Sequence, residues 1–191
     1  MESIGVFLLL AVLATAVASV YDLRFGRIPN WLSLGVLAAA PVVHFGWGAA
    51  THGFAAGLSA GGWSIAGAAA CGVIPWLCWR SGSFGGGDVK LLAATGALCL
   101  PRVGMTIEFY SMIVGAVFAM GRLAWDGALL RTLGNSVALA VNPLLPEAKR
   151  RRVPVEAMTP MRFAPAILGA TVLCAVSVLF TSLSSSAFSS R

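Results

Sequence analysis

Long apolar stretches, broken by short polar gaps or by glycine and proline, run through almost the whole chain. A helix crosses the hydrocarbon core of a bilayer with about 20 apolar residues. Stretches of that order, bounded by charge, Gly or Pro, fall at 4–20, 31–45, 54–79, 89–100, 103–121 and 163–183. The fourth is short, and crosses only with help from the glycines before it or in a locally thinned bilayer. The pattern predicts an all-α, polytopic membrane helical bundle of six transmembrane helices, a single membrane-embedded domain over 1–191. Between the last two helices lies a loop over 122–162. There Leu129, Leu130, Leu133, Val137 and Val141 recur at helical spacing, the mark of an amphipathic helix lying on the membrane, before Pro143, Pro146 and Pro154 break the chain.

Composition closes off a soluble reading: 58% of the 191 residues are hydrophobic and only 10% charged, too apolar for the core of one water-soluble domain to hide. The net charge of +6 raises the question of nucleic acid, but the basic residues sit in the gaps between apolar runs, with no basic patch interleaved with aromatics. Nucleic acid is therefore not an expected partner; the lipid bilayer is. Basic loops favour the cytoplasmic face. With the N-terminus outside, all of the 13 Lys and Arg except Arg102 and Arg191 fall on the inner side, including Lys149-Arg150-Arg151-Arg152, a contact for anionic lipid. The start Met1-Glu2-Ser3 lacks the positive charge of a cleaved signal, so the first segment is expected to stay as a helix.

Cys71, Cys78, Cys99 and Cys174 lie in or beside apolar runs and form no C-x-x-C pair, so neither a metal nor another cofactor is expected. His44 and His52 flank an outer loop, remote from any acidic pair. Glu108 is expected at the interface near Arg102, and Gly53, Gly57 and Gly61 as a ladder of small residues for close helix packing.

The candidate chemistry lies in two aspartates. Of seven acidic residues, Asp22 in Tyr21-Asp22-Leu23-Arg24 and Asp88 in Gly85-Gly86-Gly87-Asp88-Val89-Lys90 each stand where an apolar run meets a polar break. A carboxylate at the edge of lipid is costly without a partner or a task. The charge pattern puts both on the inner face, where two neighbouring carboxyls sharing one proton supply a base and an acid against a peptide bond. The plainer alternative pairs Asp22 with Arg24 or Arg27, and Asp88 with Lys90. Three glycines before Asp88 tilt the choice: without side chains they accept positive φ, turn sharply and let a substrate strand approach. Lys90 stands about 200° around a helix from Asp88 and so turns away from that carboxylate.

These residues carry a resemblance. Tyr21-Asp22-x-Arg24 followed by Ile28-Pro29-Asn30, then Gly85-x-Gly87-Asp88-x-Lys90-Leu91, resembles the paired signatures of type IV prepilin peptidases, membrane aspartyl proteases of the GxGD class. The chain is most similar to their short form, which serves tight-adherence (Flp-type) pili, and Arg162-Phe163-Ala164-Pro165-Ala166-Ile167-Leu168-Gly169 is similar to the family's closing segment. The resemblance implies that Asp22 and Asp88 are catalytic, with Gly85, Gly86, Gly87, Lys90 and Arg24 in support. It also implies an enzyme of the bacterial inner membrane that removes the short basic leader of a prepilin or pseudopilin at the cytoplasmic face, after a glycine and before a hydrophobic helix. Long-form members carry a cytoplasmic domain with two C-x-x-C pairs and methylate the new N-terminus; this chain lacks that domain, and a free amine is expected. Two alternatives stand beside this reading. One is a presenilin- or signal-peptide-peptidase-like intramembrane protease, which Ile28-Pro29-Asn30 and Lys90 disfavour. The other is a small ion- or proton-coupled transporter, which needs carboxylates along a path through the membrane.

Overall fold

The computed structural model describes residues 2–80, 84–125, 127, 134 and 162–189, with backbone alone for 2–3 and 182–189. The amphipathic helix expected around Leu129 to Val141 and the basic run from Lys149 lie outside the described residues. Five helices follow one another: α1 (Glu2–Phe25), α2 (Asn30–His52), α3 (Phe54–Arg80), α4 (Gly86–Trp125) and α5 (Ala164–Ser189). Each is long and apolar enough to cross a membrane. In lipid the backbone must satisfy its own hydrogen bonds, which a helix does within itself.

The bulky apolar side chains point outward, among them Leu9, Leu13, Leu58, Trp63, Ile65 and Phe118, as surfaces meant for lipid tails do. Small residues face inward: Ala11, Thr15 and Ala18 on α1, and Gly57, Gly61, Ser64, Gly67 and Cys71 on α3. Without a hydrophobic drive between helices in lipid, close backbone approach and dispersion must hold the bundle, which favours small residues at the seams. Buried hydroxyls find carbonyls within their own helix or across a seam: Thr15 Oγ1 donates to the Ala11 carbonyl at 2.8 Å and Ser111 Oγ to that of Ile107 at 2.7 Å, while Ser64 Oγ donates across to the Ala97 carbonyl at 2.7 Å.

Helices α2 and α3 form a tight hairpin. Gly53 ends α2 at φ 89, a conformation costly for any residue with a Cβ, so it serves the turn rather than the packing ladder expected of it. Gly57 and Gly61 do pack: a Cβ on the first would stand 2.7 Å from the Phe45 carbonyl oxygen, and on the second 3.3 Å from that of Pro41.

Helix α4 is broken. At Leu100 the backbone leaves the helix at φ 63, ψ 166, and Pro101 follows. On an unbroken helix Gly96 and Gly104 would lie about 12 Å apart at 1.5 Å per residue. Instead a Cβ on Gly104 would come within 2.8 Å of the Gly96 Cα. The chain therefore doubles back at Leu100, in the gap that the apolar pattern leaves between 100 and 103.

That reversal corrects one expectation. Glu108, placed by sequence at the interface beside Arg102, is 5% exposed, and the Cys71 thiol donates to its carboxyl. The returning arm of α4 turns this face toward α3, so nearness to Arg102 in sequence misleads. His44 is likewise buried; its Nε2–H donates to the Leu98 carbonyl at 2.9 Å and its ring stacks on Phe7 at 3.8 Å.

The chain divides into two compact units, Met1–Val114 with Arg162–Arg191, and Gly115–Met161. The described part of the second is the end of α4 to Trp125, with Phe118 and Trp125 exposed, together with residues 127 and 134. Both aspartate motifs belong to the first unit.

Candidate active site

Asp22 stands in the last turn of α1, which runs past the apolar limit at 20 to Phe25. Its side chain is 7% exposed, whereas Leu23, Arg24 and Phe25 beside it are exposed. Gly26, at φ 66, closes the helix by donating its N–H to the Asp22 carbonyl at 2.9 Å, the left-handed cap that glycine takes without strain. Pro29 then precedes α2 at φ −68, its missing N–H costing nothing at a helix start. The polar segment between the two helices is thus only a turn, and it holds Asp22 rigidly at one end of the bundle.

Asp88 is half-buried in the first turn of α4. The N–H groups of Asp88 and Val89 donate to the Gly85 carbonyl at 3.1 and 3.3 Å, which starts the helix. Among the described residues the glycines at positive φ are Gly26, Gly53 and Gly127, so Gly85, Gly86 and Gly87 do not make the left-handed turn expected of them. Their contribution is space. A Cβ on Gly85 would stand 2.8 Å from Asp88 Oδ2, on Gly86 3.4 Å from Trp79 Nε1, and on Gly87 3.2 Å from the Ile28 Cβ. The Asp88 carboxylate folds back over Gly85, and the Asp22 turn packs onto Gly87 through Ile28.

These contacts bring the two carboxyls within electrostatic reach of each other. Lys90, turned away from Asp88 as its position on the helix requires, donates from Nζ to Asn30 Oδ1 at 2.9 Å and so ties α4 to the start of α2. The local pair of Asp88 with Lys90 is thereby replaced by a bridge between the two motifs. The cation within reach of Asp22 is Arg162, while Arg24 lies exposed in the last turn of α1. The Ala164 N–H, at the start of α5, donates to the Asp22 carboxyl, and Asp22 Oδ2 is buried with no hydrogen-bond partner among the described residues.

Phe84, next to the glycines, meets Phe163, next to α5, edge to face at 4.7 Å between ring centres. Beneath them Ala18, Leu32, Leu91, Leu92, Ala164 and Ile167 form one buried apolar cluster. Sequence reasoning assigned no role to Asn30, Ile28, Arg162 or Ala164. Ile28, Asn30 and the Arg162–Ala164 segment already stood in the quoted motifs, but only the fold says what they touch. Among the described residues no three of His, Cys, Asp and Glu gather as metal ligands. A cavity of about 420 Å³ lies at the opposite end of α1 and α2, bounded by Ile4, Phe7, His44, Trp47 and Leu100, and plays no part in the aspartate site.

The described chemistry is that of two carboxyls at one end of an apolar bundle, one of them with an oxygen left open. The model of the type IV leader peptidase family matches residues 7–120, a stretch that contains both aspartates, the three glycines and Lys90. No curated protein and no solved structure matches the chain.

Proposed function

We propose that this chain, which belongs to the type IV leader peptidase family, is an aspartyl endopeptidase that cleaves the basic leader from Flp-like prepilins or pseudopilins at the cytoplasmic face of the bacterial inner membrane. The observation that carries the proposal is the meeting of Asp22 and Asp88, from helices far apart in sequence, within electrostatic reach at one end of the first unit.

For the cleavage step the two carboxyls share one proton between them. The ionised one takes a proton from water as the water oxygen attacks the scissile carbonyl carbon, while the protonated one donates to the carbonyl oxygen. Collapse of the tetrahedral species breaks the C–N bond as the carboxyl that took the water proton passes it to the leaving amine, and a hydroxyl proton of the gem-diol returns to the other carboxylate, which restores the singly protonated pair. The titration belongs to the pair, so base and acid are not assigned separately. Asp22 Oδ2, buried and without a partner among the described residues, is the acceptor position left for the water once the site opens. An extended leader enters from the polar side while its hydrophobic helix stays in lipid.

In this reading α4 crosses twice by reversing at Leu100, which makes six passes with the N-terminus outside, and Asp22 and Asp88 face the cytoplasm.

The test is cleavage of a co-expressed Flp-type prepilin by Asp22→Asn and Asp88→Asn. Each is expected to abolish processing while reaching the membrane at the wild-type level. Full processing by either variant rejects the dyad.

A further inference from the structure

Resting on the dyad reading, we infer that Arg162 is a positioning residue of the active site, acting with the Ala164 N–H to hold the Asp22 carboxyl toward Asp88 from the head of α5. Arg162 lies outside the residues 7–120 that carry the family match, so that match says nothing of it.

The last carbonyls of a helix and the first N–H groups of another have no partners within their own helices. At this corner of the bundle the two deficits satisfy each other. The Arg162 guanidinium donates to the Leu23 carbonyl in the last turn of α1, and its charge lies within reach of the Asp22 carboxyl one residue earlier. The Ala164 N–H, unused inside α5, donates to that same carboxyl, where the positive end of the helix dipole favours it. Asp22 is thus gripped through one part of its carboxyl, while Oδ2 is buried with no partner among the described residues. Phe163 stands between the two gripping residues and packs on Phe84, directly before the glycines that set Asp88. One short segment therefore fixes the position of both carboxyls. A Coulomb contact and a donor to the neighbouring carbonyl restrain rotation of the α1 end, and small displacements of catalytic groups cost rate steeply.

The experiment measures kcat and KM of the purified full chain in proteoliposomes, with a prepilin whose short basic leader ends in glycine. Arg162→Ala is expected to lower kcat by about 10- to 100-fold with KM unchanged. Arg162→Lys is expected to recover a large part of the loss, because an ammonium keeps the charge and can donate to the Leu23 carbonyl. Wild-type kcat in Arg162→Ala, or a loss confined to KM, overturns the inference. If Arg162→Ala also melts at lower temperature, the lysine variant decides: a kcat no better than that of alanine overturns it, and an intermediate kcat supports it. Asp22→Asn runs alongside. An active Asp22→Asn brings down the dyad and this inference together, whereas an inactive Asp22→Asn beside a fully active Arg162→Ala removes the inference alone.

Discussion

A methyl group at position 85 would stand 2.8 Å from Asp88 Oδ2, and what it meets is the free end of a flexible side chain. The carboxylate can swing aside at little cost to the fold, but it then leaves the place where it meets Asp22. Gly85→Ala is therefore expected to insert and melt like the wild type while cleaving about 10- to 100-fold more slowly, since a displacement near 1 Å at a catalytic group has effects of that order. Parallel melting curves and prepilin cleavage check this; wild-type activity would mean that the position of Asp88 over Gly85 is irrelevant to the reaction. The same contact explains why the glycine triplet stood out in the sequence while the manner of its packing did not. Sequence marks three residues without side chains next to an acid. Whether they serve as a left-handed turn or as empty space depends on which atoms come from elsewhere, here Trp79, Ile28 and Asp88 itself. Arg162 was opaque for a similar reason: a cation before a proline-containing apolar run reads as a topology charge until α1 is placed against it.

At the scale of elements, the packing of α3 sets a sharper contrast. A Cβ on Gly67 would fall 2.2 Å from the Gly96 carbonyl oxygen, a backbone atom that moves only if a helix moves, while Gly62 has nothing within 4 Å of its added Cβ. Gly67→Ala is expected to destabilise the bundle by about 1–3 kcal/mol, as overpacking does, and Gly62→Ala to be neutral or slightly favourable, since alanine is the better helix former. Thermal melts of the two purified variants compare them within one helix; equal melting temperatures would refute the close α3–α4 seam. The elements themselves were largely readable because lipid demands continuous apolar runs. The five helices all cover predicted stretches, and the gap at 100–103 became the reversal at Leu100. The ends were less readable. Helix α1 continues five residues beyond 20 because its last turn is buried on one side only, with Asp22 inward and Leu23, Arg24 and Phe25 outward. Helix α2 runs past the limit at 45 to His52 because Gly46 and Gly48, which read as a break in sequence, stay helical, and Gly48 packs so closely on α3 that a Cβ there would stand 2.9 Å from the Gly57 Cα. Glu108 belongs with these errors of context, since its burial follows from a fold-back that no local pattern announces.

For the molecule as a whole, the question is which way the bundle faces. Helix α1, at 24 residues and 1.5 Å per residue, is about 36 Å long and carries its two ends to opposite sides of a hydrocarbon core. Asp22 and the exposed Phe25 are at one end; the other end neighbours His44, Trp47 and Thr51 of α2 around the remote cavity. In the first unit Arg24, Arg27, Arg80, Lys90 and Arg162 stand at the helix ends that gather around Asp22, and basic segments resist export. In a background with Cys71, Cys78, Cys99 and Cys174 replaced, Phe25→Cys is expected to react with an impermeant maleimide only from the cytoplasmic face, and Thr51→Cys only from outside intact cells. Inverted membrane vesicles and whole cells, labelled in parallel, separate the two. The reverse labelling would put both aspartates where a newly made leader, held back by its own positive charge, never arrives, and the peptidase would then face away from its substrate even with its carboxyls correctly paired.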